Sequence, residues 1–212
     1  MNTYCTLYIV RHGETVGNVE RRMFGHTDSP LTSKGVKQAQ LLGEKLKNVD
    51  FSAIYSADLL RTRRTAEIIT AERKLAVQTT KALRERCYGP FEGKLADEAY
   101  DKAMALINNY EQLLKKAKHD SRYLQLENEE QTMGRYITFL REISIAYANK
   151  KILVVSSGGI MRVFLTHIGW GTAEELPSRC VQNMAVAQVD CDGVDFFVRN
   201  VEGVKRKKFN NG

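Results

Sequence analysis

The chain has 212 residues, of which 43% are hydrophobic and 27% charged, and its formal net charge is +7 at pH 7. These values are ordinary for a globular protein, and the length fits one domain over residues 1–212. No apolar stretch approaches ~18 residues, and no basic segment precedes a long apolar one at the N-terminus. The sequence therefore predicts a cytoplasmic protein without a membrane span or a signal peptide.

The cysteines and the basic residues indicate which kinds of ligand the protein can bind. None of the four cysteines forms a Cys-x-x-Cys pair and no Cys/His cluster has zinc spacing, so we expect reduced thiols, no metal site and no cofactor. Most basic residues are dispersed and no aromatic-basic stripe accompanies them, which argues against nucleic acid as a partner. An anionic small substrate accounts for the positive charge.

The first predicted element is a strand over 4–10 that stops at Arg11-His12-Gly13. Open α/β sheets bind ligands at the carboxyl ends of their strands. The guanidinium of Arg11 suits phosphate or carboxylate, and the largely neutral imidazole of His12 can attack phosphorus. Asn18, in the loop that follows, can donate its amide to a phosphate oxygen or serve as a turn residue. Taken alone, Arg11 and His12 fit a surface strand end equally well.

Three further elements follow in the first half of the chain. Thr32 is the expected N-cap of a helix whose apolar residues recur every three to four positions. A strand over 51–55 leads into a second helix, which carries Arg61 in its first turns and runs to about Thr70. A weaker pattern predicts a short strand over 75–79.

The middle of the chain is predicted to form a loop followed by helices. Residues 83–93 are too rich in glycine, proline and charge for a core helix. An amphipathic pattern predicts one helix over 95–117, weakened near Asn108, with Tyr110 and Leu114 on its inward face. A second helix is predicted over 129–148.

The last third contains the clearest strand. Residues 151–156 have the pattern of a central strand, and Ser157-Gly158-Gly159 leads from it into a helix predicted over 160–168. A strand, a glycine pair and a helix N-terminus together make a natural anion site. Two strands, over 184–190 and 195–200, close the chain as a hairpin around Asp192-Gly193.

Several of these segments resemble the histidine phosphatase superfamily, the phosphoglycerate mutase-like proteins. The segments that carry the resemblance are Arg11-His12-Gly13-Glu14-Thr15, the run from Arg22 to Thr32, Ser56-x-x-x-x-Arg61-x-x-x-Thr65-Ala66, Glu85-Arg86-Cys87-Tyr88-Gly89 and the run from Val154 to Gly159. The alternation of strands and helices independently indicates an α/β protein. The resemblance implies a three-layer α/β/α sandwich with a mostly parallel central sheet and a small helical cap, inserted roughly over 93–130.

The resemblance also implies a chemistry and a set of site residues. It predicts a phosphatase that transfers the phosphoryl group of a small phosphorylated metabolite to His12 and then to water, without a metal. Glu85 is the expected general acid and base. The residues expected to hold the phosphate are Arg11, Asn18, Arg61, Ser157 and Gly158.

One position departs from the family pattern, which has Ser-His-Gly-Gly where this chain has Ser156-Ser157-Gly158-Gly159. A serine supplies only a neutral donor, and loss of one transition-state donor costs about 10²–10³ in rate. The alternatives are therefore a weakened phosphatase and a non-catalytic or trapped phosphate-binding form of the same fold. A phosphoglycerate mutase is a further alternative, although Ala96 stands where the mutases carry a lysine. The sequence leaves the natural substrate and the oligomeric state open.

Overall fold

The protein is described here by a computed structural model, which covers residues 3–207. Within that range six strands form one sheet: β1 (Cys5–Arg11), β2 (Ala53–Ala57), β3 (Val77–Thr80), β4 (Lys151–Ser156), β5 (Val181–Cys191) and β6 (Phe196–Val204). Their spatial order is β3-β2-β4-β1-β5-β6. The first four strands are mutually parallel, whereas β5 pairs antiparallel with β1 and β6 antiparallel with β5. The mostly parallel sheet predicted from the sequence is confirmed.

Seven α-helices accompany the sheet in the described residues: α1 (Val16–Val19), α2 (Ser33–Leu46), α3 (Leu60–Ile69), α4 (Ala96–Ile107), α5 (Tyr110–Ala117), α6 (Glu129–Ala146) and α7 (Gly158–His167). The predicted N-cap of α2 is confirmed, because the Thr32 hydroxyl accepts a hydrogen bond from the backbone N–H of Gly35. Between residues 3 and 207, every helix falls short of the length and apolar character that a membrane crossing requires.

The sheet is covered on both faces, which gives three layers. Ile152 and Val154 of β4 belong to a core shared with α6 and α7, while Leu153 and Val155 belong to a second core shared with α2 and α3. All four side chains are fully buried. A strand buried on both faces needs a continuous hydrophobic run, and the sequence of β4 provides one.

The predicted single helix over 95–117 is wrong, because the chain breaks into α4 and α5. The Asn109 side chain accepts a hydrogen bond from the backbone N–H of Gln112 and so caps a new helix. The break also changes which face is buried: Leu113 is inward, whereas Tyr110 is 71% exposed. These helices cover a small third core, formed by Met23, Phe91, Ala99, Ala103, Leu113 and Leu126.

Two other predicted boundaries differ from the structure for tertiary reasons. Helix α7 begins at Gly158, although glycine disfavours helix and the pattern predicted a start at Ile160. Its first turn is stabilised by a carboxylate from a distant segment, as described below. Strand β5 begins at Val181, earlier than predicted, because Val181 pairs with Val204 at the end of β6.

Candidate active site

The predicted site residues come together at the carboxyl ends of the central strands. Arg11, the last residue of β1, pairs in register with Ser156, the last residue of β4, and the backbone N–H of His12 donates to the Ser156 carbonyl at 3.0 Å. A cavity of about 720 Å³ opens at this edge. It is lined by every residue that the sequence proposed for the site: Arg11, His12, Asn18, Arg61, Glu85, Ser157 and Gly158.

The imidazole of His12 is buried and held in one tautomer. Its Nδ1 lies 2.8 Å from the carbonyl oxygen of Gly13. Because a carbonyl can only accept, Nδ1 carries the proton and Nε2 keeps a lone pair. Burial, and then the positive charges of Arg61 and Arg11, hold the pKa of His12 well below its usual value. The ring is therefore neutral near pH 7, which is the form that can act as a nucleophile.

Arg11 is only partly satisfied by protein groups. Its Nη1 donates to the Val181 carbonyl, while its buried Nε has no hydrogen-bond partner among the described residues. Within residues 3–207, no carboxylate oxygen approaches its guanidinium to within ion-pair distance. Burial lowers the pKa of Arg11 to about 10, so the side chain still carries its charge near neutral pH. An unpaired cationic donor in a cavity wall favours an anionic ligand.

Arg61 is positioned by the loop that precedes α2. Its Nη1 donates to the Thr27 carbonyl at 2.7 Å and lies 3.3 Å from Asp28 Oδ1, and its Nη2 donates to the Gly25 carbonyl at 2.8 Å. Asp28 also accepts from the backbone N–H groups of Leu60 and Arg61, so it caps α3 from outside the helix. Arg61 is only 2% exposed. Its charge contributes to the cavity from a fixed position.

The carboxylate of Glu85 occupies the N-terminus of α7. Its Oε2 accepts from the backbone N–H groups of Gly159 at 2.7 Å and Ile160 at 3.2 Å, and its Oε1 accepts from the N–H of Arg86. A Cβ at position 159 would lie 2.7 Å from this carboxylate, so only glycine permits the approach. Glu85 thus already uses two of the donors at this helix end, a contact that the sequence did not indicate.

Asn18 is fixed by a neighbour that the sequence did not identify. Its Oδ1 accepts from the backbone N–H of Thr15 and from Nδ2 of Asn183, at 3.2 and 3.0 Å. Asn183 Nδ2 also donates to the His12 carbonyl at 3.1 Å. With its oxygen committed to these donors, Asn18 retains its amide N–H groups as donors in the cavity wall. No local pattern marks Asn183, because it lies within β5 and acts through residues far away in sequence.

Ser157 is buried at the residue that precedes α7. It is 3% exposed, its Oγ has no hydrogen-bond partner in the part of the chain that the structure describes, and it makes no side-chain cap. The next residue explains the local packing: a Cβ on Gly158 would lie 2.9 Å from both Cδ and Nε of Arg11. Glycine at 158 thus allows Arg11 to pass close to the start of α7, beside Ser157.

Arg135 of α6 supports the segment that carries Glu85, and no local sequence pattern marks this role. Its Nη1 donates to the carbonyls of Ala82 and Arg84, and its Nη2 donates to the carbonyl of Glu85, at 2.7–2.9 Å. Its Nε and Nη2 also bind the carboxylate of Glu127. One guanidinium therefore fixes three backbone carbonyls beside the cavity.

Glu127, the ion-pair partner of Arg135, also contacts Cys87 and the loop before α2 that positions Arg61. Its Oε2 accepts from the backbone N–H of Cys87 at 2.9 Å and lies 3.5 Å from Nε2 of His26. The neighbouring Cys87 and then Glu127 raise the pKa of His26 to about 9, although burial acts in the opposite direction. Across residues 3–207, no three His, Cys, Asp or Glu side chains are grouped closely enough to hold a metal ion.

Comparisons with known proteins agree with this geometry. The family model of the histidine phosphatase superfamily (branch 1) matches residues 7–202. The uncharacterized phosphatase PhoE of Bacillus subtilis (strain 168) is 32% identical over 184 residues, which cover 85% of this chain and 88% of the relative. The probable phosphoglycerate mutase GpmB of Proteus mirabilis (strain HI4320) is 34% identical over 189 residues, which cover 87% of this chain and 84% of the relative. The crystal structure of phosphoglycerate mutase from Bacillus anthracis str. Sterne superimposes with a TM-score of 0.79 at 27% identity, covering 96% of this chain and 95% of that one.

Proposed function

Because the chain belongs to the histidine phosphatase superfamily, we propose that it hydrolyses a small phosphorylated metabolite through a phosphohistidine at His12. One observation carries the proposal: the imidazole of His12 is buried and neutral, its Nδ1 donates to the Gly13 carbonyl, and the positive charges of Arg61 and Arg11 act on it. That arrangement leaves Nε2 as a nucleophile and surrounds it with groups that attract a phosphate dianion.

In the first step Nε2 of His12 attacks phosphorus, the Nε2–P bond forms and the ester P–O bond breaks. Arg11, Arg61 and the amide of Asn18 hold the phosphoryl oxygens in line. Glu85, in its protonated form, gives its proton to the leaving oxygen, so that an alcohol departs and a carboxylate remains. The arginines supply the positive charge that the transferring group requires, and no metal is needed for that purpose.

In the second step the Glu85 carboxylate takes a proton from water as the water oxygen attacks phosphorus. The Nε2–P bond breaks, orthophosphate leaves and neutral His12 is restored. Gly159 and Ile160 hold the Glu85 carboxylate in place through its Oε2. The same group therefore acts as acid in the first step and as base in the second.

Ser157 is the observation that favours a second candidate, a non-catalytic protein that binds phosphorylated ligands. The family pattern has a histidine at this position, which donates a hydrogen bond to the transferring phosphoryl group. Ser157 weakens that stabilisation, and we expect turnover to be slow for this reason. Phosphatase activity is preferred over mutase activity, because Ala96 replaces the lysine of the mutase pattern.

Release of phosphate from 4-nitrophenyl phosphate tests the proposed function. The wild-type protein should turn over slowly, His12→Ala should show no turnover above background, and His119→Ala, which changes an exposed histidine outside the cavity, should match the wild type. Equal turnover by wild type and His12→Ala would contradict the proposal. Turnover by neither, with calorimetric phosphate binding that Arg61→Ala reduces, would instead favour the non-catalytic binder.

A further inference from the structure

We infer that Arg21 and Arg179 form a second anion-binding subsite at the mouth of the cavity, and that the phosphomonoester this protein acts on carries a second negatively charged group. In the ligand complex that group takes the place of the Asp97 carboxylate between the two arginines. The inference rests on the proposed function, because it takes the region around His12 as the phosphate subsite.

The first support is a carboxylate already held between the two guanidinium groups. Arg179 Nη2 donates to Asp97 Oδ1 at 2.7 Å, and Arg21 Nη1 lies 3.8 Å from Asp97 Oδ2. The three residues come from different segments, after α1, in the first turn of α4 and before β5, yet all line the cavity of His12. The position of Asp97 thus marks where an anionic group of a ligand can be bound from two sides.

The second support is the backbone at the two arginines. Arg21 has φ of 56° and Arg179 has φ of 66°, so both adopt the left-handed conformation. This conformation is uncommon for residues other than glycine and asparagine and is strained for a long side chain. Glycine would adopt this backbone conformation without strain, but it would not supply a guanidinium group. Two strained arginines that face each other across one carboxylate favour a role for their side chains.

The third support is the charge of the cavity, which selects an anion over a cation as the second group. Seven arginines and three acidic residues line it. Three of these arginines pair with carboxylates that lie outside the cavity wall, in the pairs Arg22–Glu20, Arg61–Asp28 and Arg86–Glu129. At the mouth, however, two arginines face the single carboxylate of Asp97. A negative group on the ligand is therefore attracted there, whereas an amino group is repelled.

The exchange of Asp97 for a ligand group is energetically accessible. The side chains of Arg21, Asp97 and Arg179 are 71%, 61% and 56% exposed. Ion pairs with such exposure contribute little to stability, so Asp97 can leave the arginines at small cost. The Asp97 carboxylate therefore occupies the subsite only weakly, and an anionic group of a ligand can displace it.

Calorimetry with phosphonates, which cannot be hydrolysed, tests this subsite. The ligands are ω-carboxyalkyl-, alkyl- and ω-aminoalkylphosphonates, compared over a series of matched chain lengths at one pH and ionic strength. At the chain length that reaches the mouth, we expect the carboxylate to bind about 10-fold more tightly than the alkyl ligand, and the amine to bind most weakly. The preference should fall as salt rises.

Variants separate the subsite from a merely structural cluster. Arg21→Gln and Arg179→Gln should each reduce the carboxylate preference several-fold and leave the affinity for the alkyl ligand unchanged. Asp97→Asn should strengthen binding of the carboxylate ligand, because it removes the competing anion. Arg64→Gln, which changes an exposed ion-paired arginine outside the cavity, is the matched control and should change none of these affinities.

Equal affinities for the three ligand classes at every chain length would overturn the inference, as would an Arg179→Gln protein that loses affinity for all of them alike. Absence of binding by all phosphonates would overturn both the inference and the proposed function. A carboxylate preference without any turnover would leave the subsite standing and contradict only the phosphatase proposal. Turnover without a preference would contradict only the subsite.

Discussion

Replacement of Ser157 by histidine should raise the turnover number of the proposed phosphatase reaction. The Ser157 Oγ has no partner among the described residues and makes no cap on α7, so the substitution removes no hydrogen bond that the structure contains. The new side chain would extend from a residue that lines the same cavity as Arg11 and His12. A donor placed there adds to the groups that stabilise negative charge on the transferring phosphoryl oxygens.

The expected gain is about 10²-fold or more in kcat, which corresponds to about 3 kcal/mol of transition-state stabilisation. The opposing effect is steric, because Ser157 is only 3% exposed and a larger side chain in a buried position costs about 1–3 kcal/mol. That cost falls on folding rather than on the barrier, so it should appear as a Tm lowered by several degrees. The two effects are measured separately.

The assay compares kcat and KM of wild type, Ser157→His and Ser157→Ala on one phosphomonoester near neutral pH. KM should change less than kcat, because the added donor acts mainly in the transition state. Ser157→Ala is the matched control, since it removes the hydroxyl without adding a donor, and it should not raise kcat. A folded Ser157→His protein with no gain in kcat would refute the reasoning and make the non-catalytic binder the preferred account.

Three further predictions follow from contacts around the cavity. Arg135→Met should lower the free energy of unfolding by about 2–4 kcal/mol, because three backbone carbonyls lose a cationic donor; a urea midpoint equal to that of wild type would contradict this. Gly159→Ala should lower kcat at least tenfold, because its Cβ would displace the Glu85 carboxylate, whereas Gly134→Ala, whose Cβ meets no atom within 4 Å, should leave kcat intact. The free energy of unfolding should fall as pH rises from about 6.5 to about 9, because the pKa of His26 is raised in the folded state and its favourable charge is lost over that range. His26→Gln should flatten this slope in urea titrations, and an unchanged slope would count against the pairing with Glu127.

The sequence predicted the elements whose signal is local. The hydrophobic run of β4 and the arginine and histidine that end β1 are contiguous in sequence, and parallel strands bring their carboxyl ends to one edge. The N-cap at Thr32 was predictable for the same reason, since the cap and the helix it starts are adjacent. The fold class followed from the alternation of such elements and is confirmed.

The remaining features depend on contacts between distant residues. Glu85 reaches the N–H of Gly159 across 74 positions, and Arg135 binds carbonyls about 50 positions away. Neither contact leaves a pattern in the local sequence, so the start of α7 was predicted too late and the support of Glu85 was missed. The break at Asn109 is a case where a capping side chain outweighed the continuous amphipathic pattern.

The central claim is that phosphoryl transfer passes through Nε2 of His12. The most direct measurement uses Ser157→His protein incubated briefly with a phosphomonoester labelled in its phosphoryl group, quenched in alkali and examined for acid-labile label by isomer-specific phosphohistidine detection and peptide mass spectrometry. Because Nδ1 is bound to the Gly13 carbonyl, the account predicts the Nε2 isomer on the peptide that contains His12, and no label in His12→Ala protein carrying the same change at 157. Label that persists in the His12→Ala protein, or that maps to another residue, would contradict it.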